Sequence, residues 1–395
     1  MIEHRLEAAD VFRQYEQEFL AAWGHTLSRQ QRRAFRDICA CRTAALGAHI
    51  QRCDNCAHEV LLYNSCRSRN CPKCQSSARD EWLTGEARNL LPVPYCHVVF
   101  TLPHELSPVA LQNPKLIYNL LFRAVRETLL TLGADPSRLG AHLGFLAVLH
   151  TWDQKVMHHP HLHCLVPAGG LSLDRSRWIT CRKRFFLPIR VLCARFRKRF
   201  LTLLAACFRN NKLRLVGQLR DLNRRGAFDR LYAGLKKKKW VVYAKRPFGG
   251  PEQVLKYLAR YTHRIAIANG RLVRLDHGSV TFRWRDSAHE NAQKMMTVPA
   301  VEFIRRFLMH VLPPGFVKIR HFGFLANGVR RVGLPLCRSL LPGIGPAIPP
   351  MLSDRQRRAV ERKCPACLAG TLCLIGWIPP GIPIELPTSM NLDSS

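Results

Sequence analysis

The sequence predicts an α+β protein whose core is preceded by a small helical and zinc-binding module. Three observations predict it: two buried apolar segments joined by a short polar connection, longer segments with apolar residues at helical spacing, and two C-x-x-C pairs near the amino terminus. Hydrophobic residues make up 47% of the 395 residues, which suffices for two or three domains. We expect a helical and zinc-binding domain in residues 1–90, an α+β domain in 91–330, and a carboxy-terminal segment with a disordered tail in 331–395.

The amino-terminal domain contains two C-x-x-C pairs, Cys53 with Cys56 and Cys71 with Cys74, which are separated by 14 residues. This spacing is typical of a zinc ion held by four thiolates, which leaves no open position for a substrate. We therefore predict one structural zinc bound by these four cysteines. His49 and Cys66 are surplus: the alternatives are that either replaces one of these ligands, or that they belong to a second site with Cys39 or Cys41.

A third C-x-x-C pair, Cys364 with Cys367, lies near the carboxy terminus. One pair supplies half of a four-thiolate site, so zinc binding here needs a partner pair from elsewhere in the chain or from another subunit. The basic residues Arg67 and Arg69 lie beside the amino-terminal pairs, and we expect that module to contact phosphate as well.

Segments 143–152 and 162–171 have the composition of buried strands, and residues 153–160 connect them as a hairpin. His161 and His163 begin the second strand. Because alternate residues of a strand share a face, both imidazoles point the same way and suit one divalent ion. For the third ligand we predict Gln154, which lies close to the turn, and we keep His150 as the alternative because the register of the turn cannot be read.

Residues 251–264 predict a helix that begins at Pro251. Tyr257 and Tyr261 are four residues apart and share a face, with Arg264 one turn beyond. A free tyrosine has a pKa near 10 and is a poor nucleophile, but a phosphodiester polarised by a metal ion and a neighbouring cation makes attack feasible. The alternative is that both tyrosines belong to an ordinary core stripe.

The charge of the chain indicates a polyanionic partner. Lys and Arg number 61 against 27 Asp and Glu, a formal net charge of +34, and 22 of the basic residues lie between residues 177 and 246, which we call the basic belt. We assign its nucleic-acid contacts to Arg195, Lys198, Arg199, Lys236, Lys237, Lys238 and Lys239. Phe196, Phe200 and Trp240 lie among these cations and could stack on bases, but the helical spacing of the two phenylalanines favours a buried stripe beginning near Pro188.

The ordered set of motifs resembles the HUH endonucleases of the two-tyrosine class, and more closely the rolling-circle transposases of bacterial insertion sequences. The matching stretches are 64–75, 97–103, 150–154 with 159–166, 240–248 leading into the tyrosine helix, and 315–324. One departure is Asn70, where members of the family often carry a histidine. The resemblance therefore covers most of residues 10–330.

The resemblance implies an HUH-type antiparallel sheet as the catalytic core, with residues 97–102 as another strand and helices packed on one face. It implies a strand transferase that uses magnesium or manganese, in which Tyr257 and Tyr261 cut single-stranded DNA at transposon ends through 5′-phosphotyrosine links, assisted by Arg264. Apolar runs are shorter than the roughly 18 residues of a membrane span, and no signal peptide is apparent, so we expect a cytoplasmic, nucleoid-associated bacterial protein.

Three alternatives use the same residues differently. A zinc-ribbon DNA-binding protein would use the histidines and tyrosines only structurally, and a replication initiator or plasmid relaxase would use the same chemistry in another role. A zinc hydrolase is disfavoured because no glutamate, the usual base, occurs between Glu127 and Glu252.

Overall fold

The computed structural model describes residues 5–181, 187–248, 253–255, 259, 265–286, 289–341, 362–382 and 391–392. The helices discussed below are α1 Ala8–Gln14, α2 Glu16–Trp23, α3 Arg29–Ala40, α4 Gln75–Ala87, α5 Ser107–Gln112, α6 Pro114–Ala134, α7 Ile189–Arg209, α8 Ala227–Lys237, α9 Ala300–Leu308 and α10 Arg330–Ser339. Within the described ranges, no helix combines the length and apolar character needed to span a bilayer.

The strands form four small sheets. Their bounds are β1 Ala48–Cys53, β2 Glu59–Tyr63, β3 Tyr95–Thr101, β4 Ala141–His142, β5 Gly144–Trp152, β6 His158–Pro167, β7 Gly169–Ser172, β8 Trp178–Thr180, β9 Val241–Phe248, β10 Leu272–Asp276, β11 Ser279–Asp286, β12 Ala292–Pro299, β13 Ile319–Gly323, β14 Leu372–Ile378 and β15 Asn391–Leu392. The mixture of helices and largely antiparallel sheets confirms the predicted α+β class.

The central sheet has five strands in the order β13-β5-β6-β3-β9, and every neighbouring pair is antiparallel. The predicted hairpin is present as β5 and β6, with β6 beginning at His158 rather than at His161. The strand predicted at 97–102 is β3. A β-bulge lies next to the turn: β5 advances two residues from His150 to Trp152, while β6 covers three from His161 to His158, so the extra residue is on β6.

Helices α6 and α7 cover one face of the central sheet. The predicted α7 stripe is confirmed, because its members are all buried: Leu192, Phe196, Phe200, Leu203 and Cys207. Trp240 is also buried, 5.3 Å from Phe196 between ring centroids, and its indole N–H donates to the carbonyl of Leu235 at 2.9 Å. These aromatic rings therefore form the core and do not offer faces for base stacking.

Helices α1 to α3 form a bundle that shares a core with later parts of the chain. A capping box fixes the start of α3: the backbone N–H of Gln31 donates to Ser28 Oγ at 3.3 Å, and the N–H of Ser28 donates to Gln31 Oε1 at 2.9 Å. Phe12 lies 5.3 Å from Phe35 and 5.3 Å from Phe307 of α9, between ring centroids. The amino-terminal helices therefore pack against α9, which lies much later in the sequence.

The predicted four-cysteine site is wrong in its grouping, because the structure divides the four cysteines between two clusters. Cluster 1 contains Cys41, Cys66, Cys71 and Cys74. Its sulfur–sulfur distances include 3.5 Å for Cys41 to Cys74 and 3.6 Å for both Cys66 to Cys74 and Cys71 to Cys41. The surplus residues Cys41 and Cys66 thus complete the site of the second C-x-x-C pair.

Cluster 2 joins the two ends of the chain. Cys53 and Cys56 meet the carboxy-terminal pair Cys364 and Cys367, with Cys53 Sγ 3.7 Å from Cys367 Sγ and Cys56 Sγ 3.6 Å from Cys364 Sγ. The following strand β14 pairs antiparallel with β1 and extends the amino-terminal sheet. The partner pair that the carboxy-terminal cysteines require is therefore supplied by the same chain.

The hairpin geometry explains why two neighbouring pairs separate. Cys53 ends β1 and Cys56 lies in the turn to β2, whereas Asn64, after β2, hydrogen-bonds back to Gly47 and to Arg42 beside Cys41. From Ala48 to Cys53 the chain rises by about 17 Å, so the turn with Cys56 lies roughly that far from the end of the hairpin where Asn64 meets Gly47. The chain that continues to Cys66 therefore reaches α3 and not the hairpin turn.

Both clusters fit a tetrahedral zinc ion. Four sulfurs at about 2.3 Å from zinc lie roughly 3.8 Å from one another, close to the observed separations. In cluster 2 the backbone N–H of Gly370 donates to Cys367 Sγ at 3.3 Å and lowers the pKa of this thiol to about 6, which favours the ligating thiolate. A side chain at Gly370 would collide with Cys53 Sγ, so glycine is needed for the two pairs to approach.

We expect the purified protein to bind two zinc ions. Cys364→Ser should remove one zinc and make the segment 362–382 more sensitive to proteolysis, because cluster 2 anchors the start of this segment to β1 and its turn. Zinc content measured by mass spectrometry and limited trypsin digestion test this. Cys373→Ser is the matched control, since Cys373 is exposed on the same strand and belongs to neither cluster. Two zinc ions retained by Cys364→Ser would contradict the assignment.

Candidate functional site

Three imidazoles converge on the face of the central sheet opposite α6 and α7. His150 on β5 lies directly across from His161 on β6, and His163 follows two residues later on the same face. His161 Nε2 is 3.1 Å from His163 Nε2, and the ring of His150 is 4.4 Å from that of His163 between centroids. One ring nitrogen from each of the three lies within 4.8 Å of the others, so the set can hold one metal ion.

The predicted third ligand, Gln154, is not part of this group. It is exposed in the turn after β5, where its backbone carbonyl accepts a hydrogen bond from Arg271. The alternation of β5 holds as far as Trp152, whose ring stacks on His150 at 4.5 Å between centroids. Gln154 follows the end of β5, so the turn and not the strand sets the direction of its side chain. His150, the alternative considered from the sequence, occupies the third position.

The hydrogen bonds behind the imidazoles fix which nitrogen is available. His161 Nδ1 lies 2.7 Å from the carbonyl oxygen of His159 and donates its proton there. His163 Nδ1 lies 2.9 Å from His97 Nε2 on β3, so a proton on His163 Nδ1 can be donated to His97. Both bonds leave the Nε2 lone pairs of His161 and His163 directed at each other, as metal ligation requires.

His97 was not predicted as a site residue. The stretch 97–103 was recognised only as a strand, and the parity that turns His97 towards His163 depends on the β3–β6 register. That register pairs Val99 with His163, which places residue 97 on the histidine face. The signal that could have identified His97 is a histidine in a neighbouring predicted strand, at a position whose side chain faces the same side of the sheet as His161 and His163.

The site keeps its imidazoles neutral. Burial lowers the pKa of His161 to about 4 and that of His163 well below its usual value. Burial, followed by the charge of Lys245, lowers the pKa of His97 to about 4. At neutral pH all three rings therefore carry a lone pair, and neutral imidazole is the form that binds a metal ion.

The segment that leads to the tyrosines begins on this same face. Residues 253–255 and 259 are helical, and Val254 and Leu255 are buried in one cluster with Leu146, Val148 and Leu165 of the histidine face. Among the predicted catalytic residues, Tyr257, Tyr261 and Arg264 lie outside the described residues, as does Arg260.

The basic belt lies across the sheet from the imidazoles, because α7 and α8 contribute to the core of the opposite face. Five of the seven predicted nucleic-acid contacts are exposed: Arg195, Lys198, Lys236, Lys237 and Lys239. The other two predicted nucleic-acid contacts have acidic partners: Arg199 pairs with Glu127, and Lys238 pairs with Glu105. The part of the belt on α7 and α8 therefore does not line the imidazole group, whereas Lys245 of β9 lies beside His97.

Comparison with known proteins identifies the family. The family model described as "Putative transposase" matches residues 144–332, and the one described as "Transposase zinc-binding domain" matches residues 11–102. The "Putative transposase y4qJ" of Sinorhizobium fredii is 52% identical over 378 residues, covering 93% of this chain and 94% of that protein. The "Transposase for insertion sequence element IS801" of Pseudomonas savastanoi is 29% identical over 319 residues, covering 79% and 74%.

The cysteine clusters lie in and against the region matched as a zinc-binding domain, and the three imidazoles lie in the region matched as a transposase. The chain belongs to the two-tyrosine transposases of bacterial insertion sequences and carries their amino-terminal zinc-binding domain.

Proposed function

We propose that this transposase nicks and joins single-stranded DNA at transposon ends through 5′-phosphotyrosine intermediates, as rolling-circle transposition requires. One observation carries the proposal: three imidazoles meet on the sheet face that also buries Val254 and Leu255, which lie near the start of the predicted tyrosine helix. The site of action would be the bacterial nucleoid, in the cytoplasm.

Helical periodicity connects Val254 with the two proposed nucleophiles. In a helix continuing through residue 264, as the sequence predicts, Tyr257 and Tyr261 stand three and seven residues after Val254 and therefore on its stripe. Val254 is fully buried against the histidine face. A continuous helix would thus direct both hydroxyls towards the imidazoles, with Arg264 one turn beyond Tyr261.

The chemistry is a transesterification. The phenolic oxygen of one tyrosine attacks the phosphorus and loses its proton, the bond from phosphorus to the 3′ oxygen breaks, and that oxygen takes up a proton to give a free 3′ hydroxyl. The second tyrosine would carry the partner strand. Attack of a 3′ hydroxyl on the phosphotyrosine reverses the step, so phosphodiester energy is conserved and no nucleotide cofactor is required.

His150, His161 and His163 would hold the divalent ion, which when bound polarises the scissile phosphate and stabilises developing charge. We expect magnesium or manganese to serve. An all-nitrogen ligand set suits Mg²⁺ less than a first-row transition ion, because Mg²⁺ prefers oxygen ligands. Manganese should therefore support strand cleavage at lower concentration than magnesium.

The basic belt would bind DNA away from the reacting phosphate. Its exposed lysines on and after α8 directly precede β9, the strand that leads into the tyrosine segment. Arg199 and Lys238 have acidic partners in the protein, so we assign them a smaller share of the phosphate contacts than Lys236, Lys237 and Lys239.

The tyrosine assignment predicts a covalent adduct. Wild-type protein, labelled single-stranded oligonucleotides from the flanks of its own insertion sequence, and Mn²⁺ should give a protein–DNA band that survives denaturing electrophoresis. The double variant Tyr257→Phe with Tyr261→Phe should give none, while Tyr232→Phe, on α8 across the sheet, should behave as wild type. An adduct formed by the double variant would exclude both nucleophiles, and DNA binding with no wild-type adduct would indicate a silent DNA-binding protein.

The metal-site assignment predicts unequal effects for His150 and Gln154. His150→Ala, His161→Ala and His163→Ala should each lower the nicking rate at least a hundredfold and raise the Mn²⁺ concentration needed for half-maximal rate. His97→Ala should cost about ten- to a hundredfold, since it orients a ligand from behind. Gln154→Ala is the control and should retain the wild-type rate; loss in Gln154→Ala with normal rates in His150→Ala would reverse the assignment.

The belt assignment predicts a change in salt dependence. The triple variant Lys236→Gln, Lys237→Gln and Lys239→Gln should bind single-stranded DNA more weakly, with the slope of log affinity against log salt shallower by about 2. Arg199→Gln with Lys238→Gln should change the slope by less than 1. Fluorescence anisotropy titrations from 50 to 300 mM NaCl measure both, and equal slopes in the triple variant and wild type would place the DNA elsewhere.

A further inference from the structure

A cavity of about 410 Å³ lies where the zinc-binding domain meets the edge of the central sheet, and we call it the junction cavity. Its volume is within the roughly 300–1,000 Å³ range of ligand pockets. Its walls include Arg67, Arg69, Gln75, Trp82, Val317 and Lys318. Residues 64–75 and 315–324, distant in sequence and both singled out above, meet here, and apart from the cysteines of cluster 1 neither segment has been given a functional role.

The junction cavity is braced on two sides. The guanidinium of Arg69 donates to the carbonyl oxygens of Phe316 at 2.9 Å and Pro313 at 2.7 Å, which ties the zinc-binding loop to the segment before β13. Further along, Glu86 of α4 and His321 of β13 form a buried contact of 2.9 Å. The walls are therefore held together independently of any ligand.

The charge of the walls favours an anion. Three of the lining residues are basic, none of those described at this cavity is Asp or Glu, and the sulfur of Cys74, which also lines it, belongs to cluster 1. Burial, with the charge of Arg69 nearby, lowers the pKa of Lys318 to about 8. An anionic group next to Lys318 would offset both effects and favour the charged form of the lysine. Arg67 and Val317 are exposed, so the cavity can be reached from solvent.

Gln75 supplies an unused acceptor in the same wall. Its side chain is 4% exposed, and its Nε2 donates to the carbonyl oxygen of Arg69 at 2.6 Å, which fixes the orientation of the amide. Its Oε1 has no hydrogen-bond partner in the described part of the chain. A buried acceptor without a donor is unfavourable, so this wall is suited to a ligand that brings an N–H group.

We propose that the junction cavity binds one unstacked nucleotide of the DNA strand, with its phosphate at Lys318 and Arg67, its base beside Trp82, and a base N–H donated to Gln75. A nucleotide combines the three features that the walls complement: an anion, a flat ring and an N–H donor. This inference rests on the proposed action on single-stranded DNA.

The position of the cavity agrees with such a role. Ile319 lines the cavity and pairs with Val148, which lies on the histidine face two residues before His150. The cavity is thus one strand away from the metal centre, at the β13 edge. A base held there would fix the register of the strand relative to the phosphate that is cut.

A binding cycle tests the Gln75 contact. A labelled single-stranded 20-mer from the insertion-sequence end and its copies carrying one tetrahydrofuran abasic site at each successive position are titrated without added Mg²⁺ or Mn²⁺. Wild type should lose about three- to tenfold in affinity at one position. Gln75→Met should bind the intact strand more weakly and lose less at that position, because the hydrogen bond to Gln75 is already absent while the contact with Trp82 remains. Gln17→Met, on an exposed part of α2, is the control. Equal abasic losses in wild type and Gln75→Met would overturn the proposal.

A second measurement on the wild-type chain does not depend on the folding of a variant. Strands with 5-iododeoxyuridine at successive positions are irradiated with the protein, and the cross-linked peptides are sequenced by mass spectrometry. The proposal expects a position that cross-links at Trp82; cross-links confined to other aromatic residues would overturn it. Lys318→Met should reduce the salt slope by about 1, whereas Lys115→Met on α6 should not.

The outcomes separate this inference from the proposed function. Position-specific coupling and a Trp82 cross-link without any covalent adduct would support the cavity and contradict the tyrosine chemistry. A normal adduct with neither coupling nor cross-link would contradict the cavity alone.

Discussion

The functional site depends on the antiparallel register of β5 and β6. That register sets His150 opposite His161 and puts His163 on the same face. A slip of β6 by one residue would turn His161 and His163 away from His150 and into the core beneath α6 and α7. Their neighbours Leu162 and Cys164 are fully buried in that core, so the slip would also expose apolar surface. The same hydrophobic pattern that stabilises the sheet therefore aligns the three imidazoles.

The two cysteine clusters differ in how much the fold needs them. Cluster 1 adjoins the large core built by α1, α3 and α9, so burial and metal binding act together there. Cluster 2 sits in a core of only a few buried residues, among them Val60, Leu62 and Leu372. Burial of so little apolar surface is not enough to stabilise a sheet built from both ends of the chain. The free energy of metal binding has to supply the remaining stability. Among the described segments, residues 362–382 therefore depend most on their metal.

The sequence predicted the local features well and the long-range pairings poorly. Spacing identified the α7 stripe, the β5–β6 hairpin and the His161–His163 pair, because each depends on periodicity within one element. It could not choose between Gln154 and His150, since residue spacing does not show where β5 ends and the turn begins. It also assigned Cys53 and Cys71 to one ion, since the route of the chain between them depends on a hairpin whose length the cysteine spacing does not encode. His97 and cluster 2 depend on pairings across 66 and more than 300 residues of sequence.

The arrangement of charge constrains the path of a bound strand. The basic belt and the imidazoles lie on opposite faces of the sheet, separated by the sheet and a helical layer, which together are on the order of 20 Å thick. A strand that contacts both has to pass around an edge, and the sheet has two: β9 and β13. Lys239 and Lys245 mark the β9 edge, and Lys318 with the junction cavity marks the β13 edge. Under the proposed function, DNA held by the belt would round β9, cross the histidine face beside the tyrosine segment, and place a nucleotide at β13. The high net charge then serves to bend a strand around the sheet as well as to bind it.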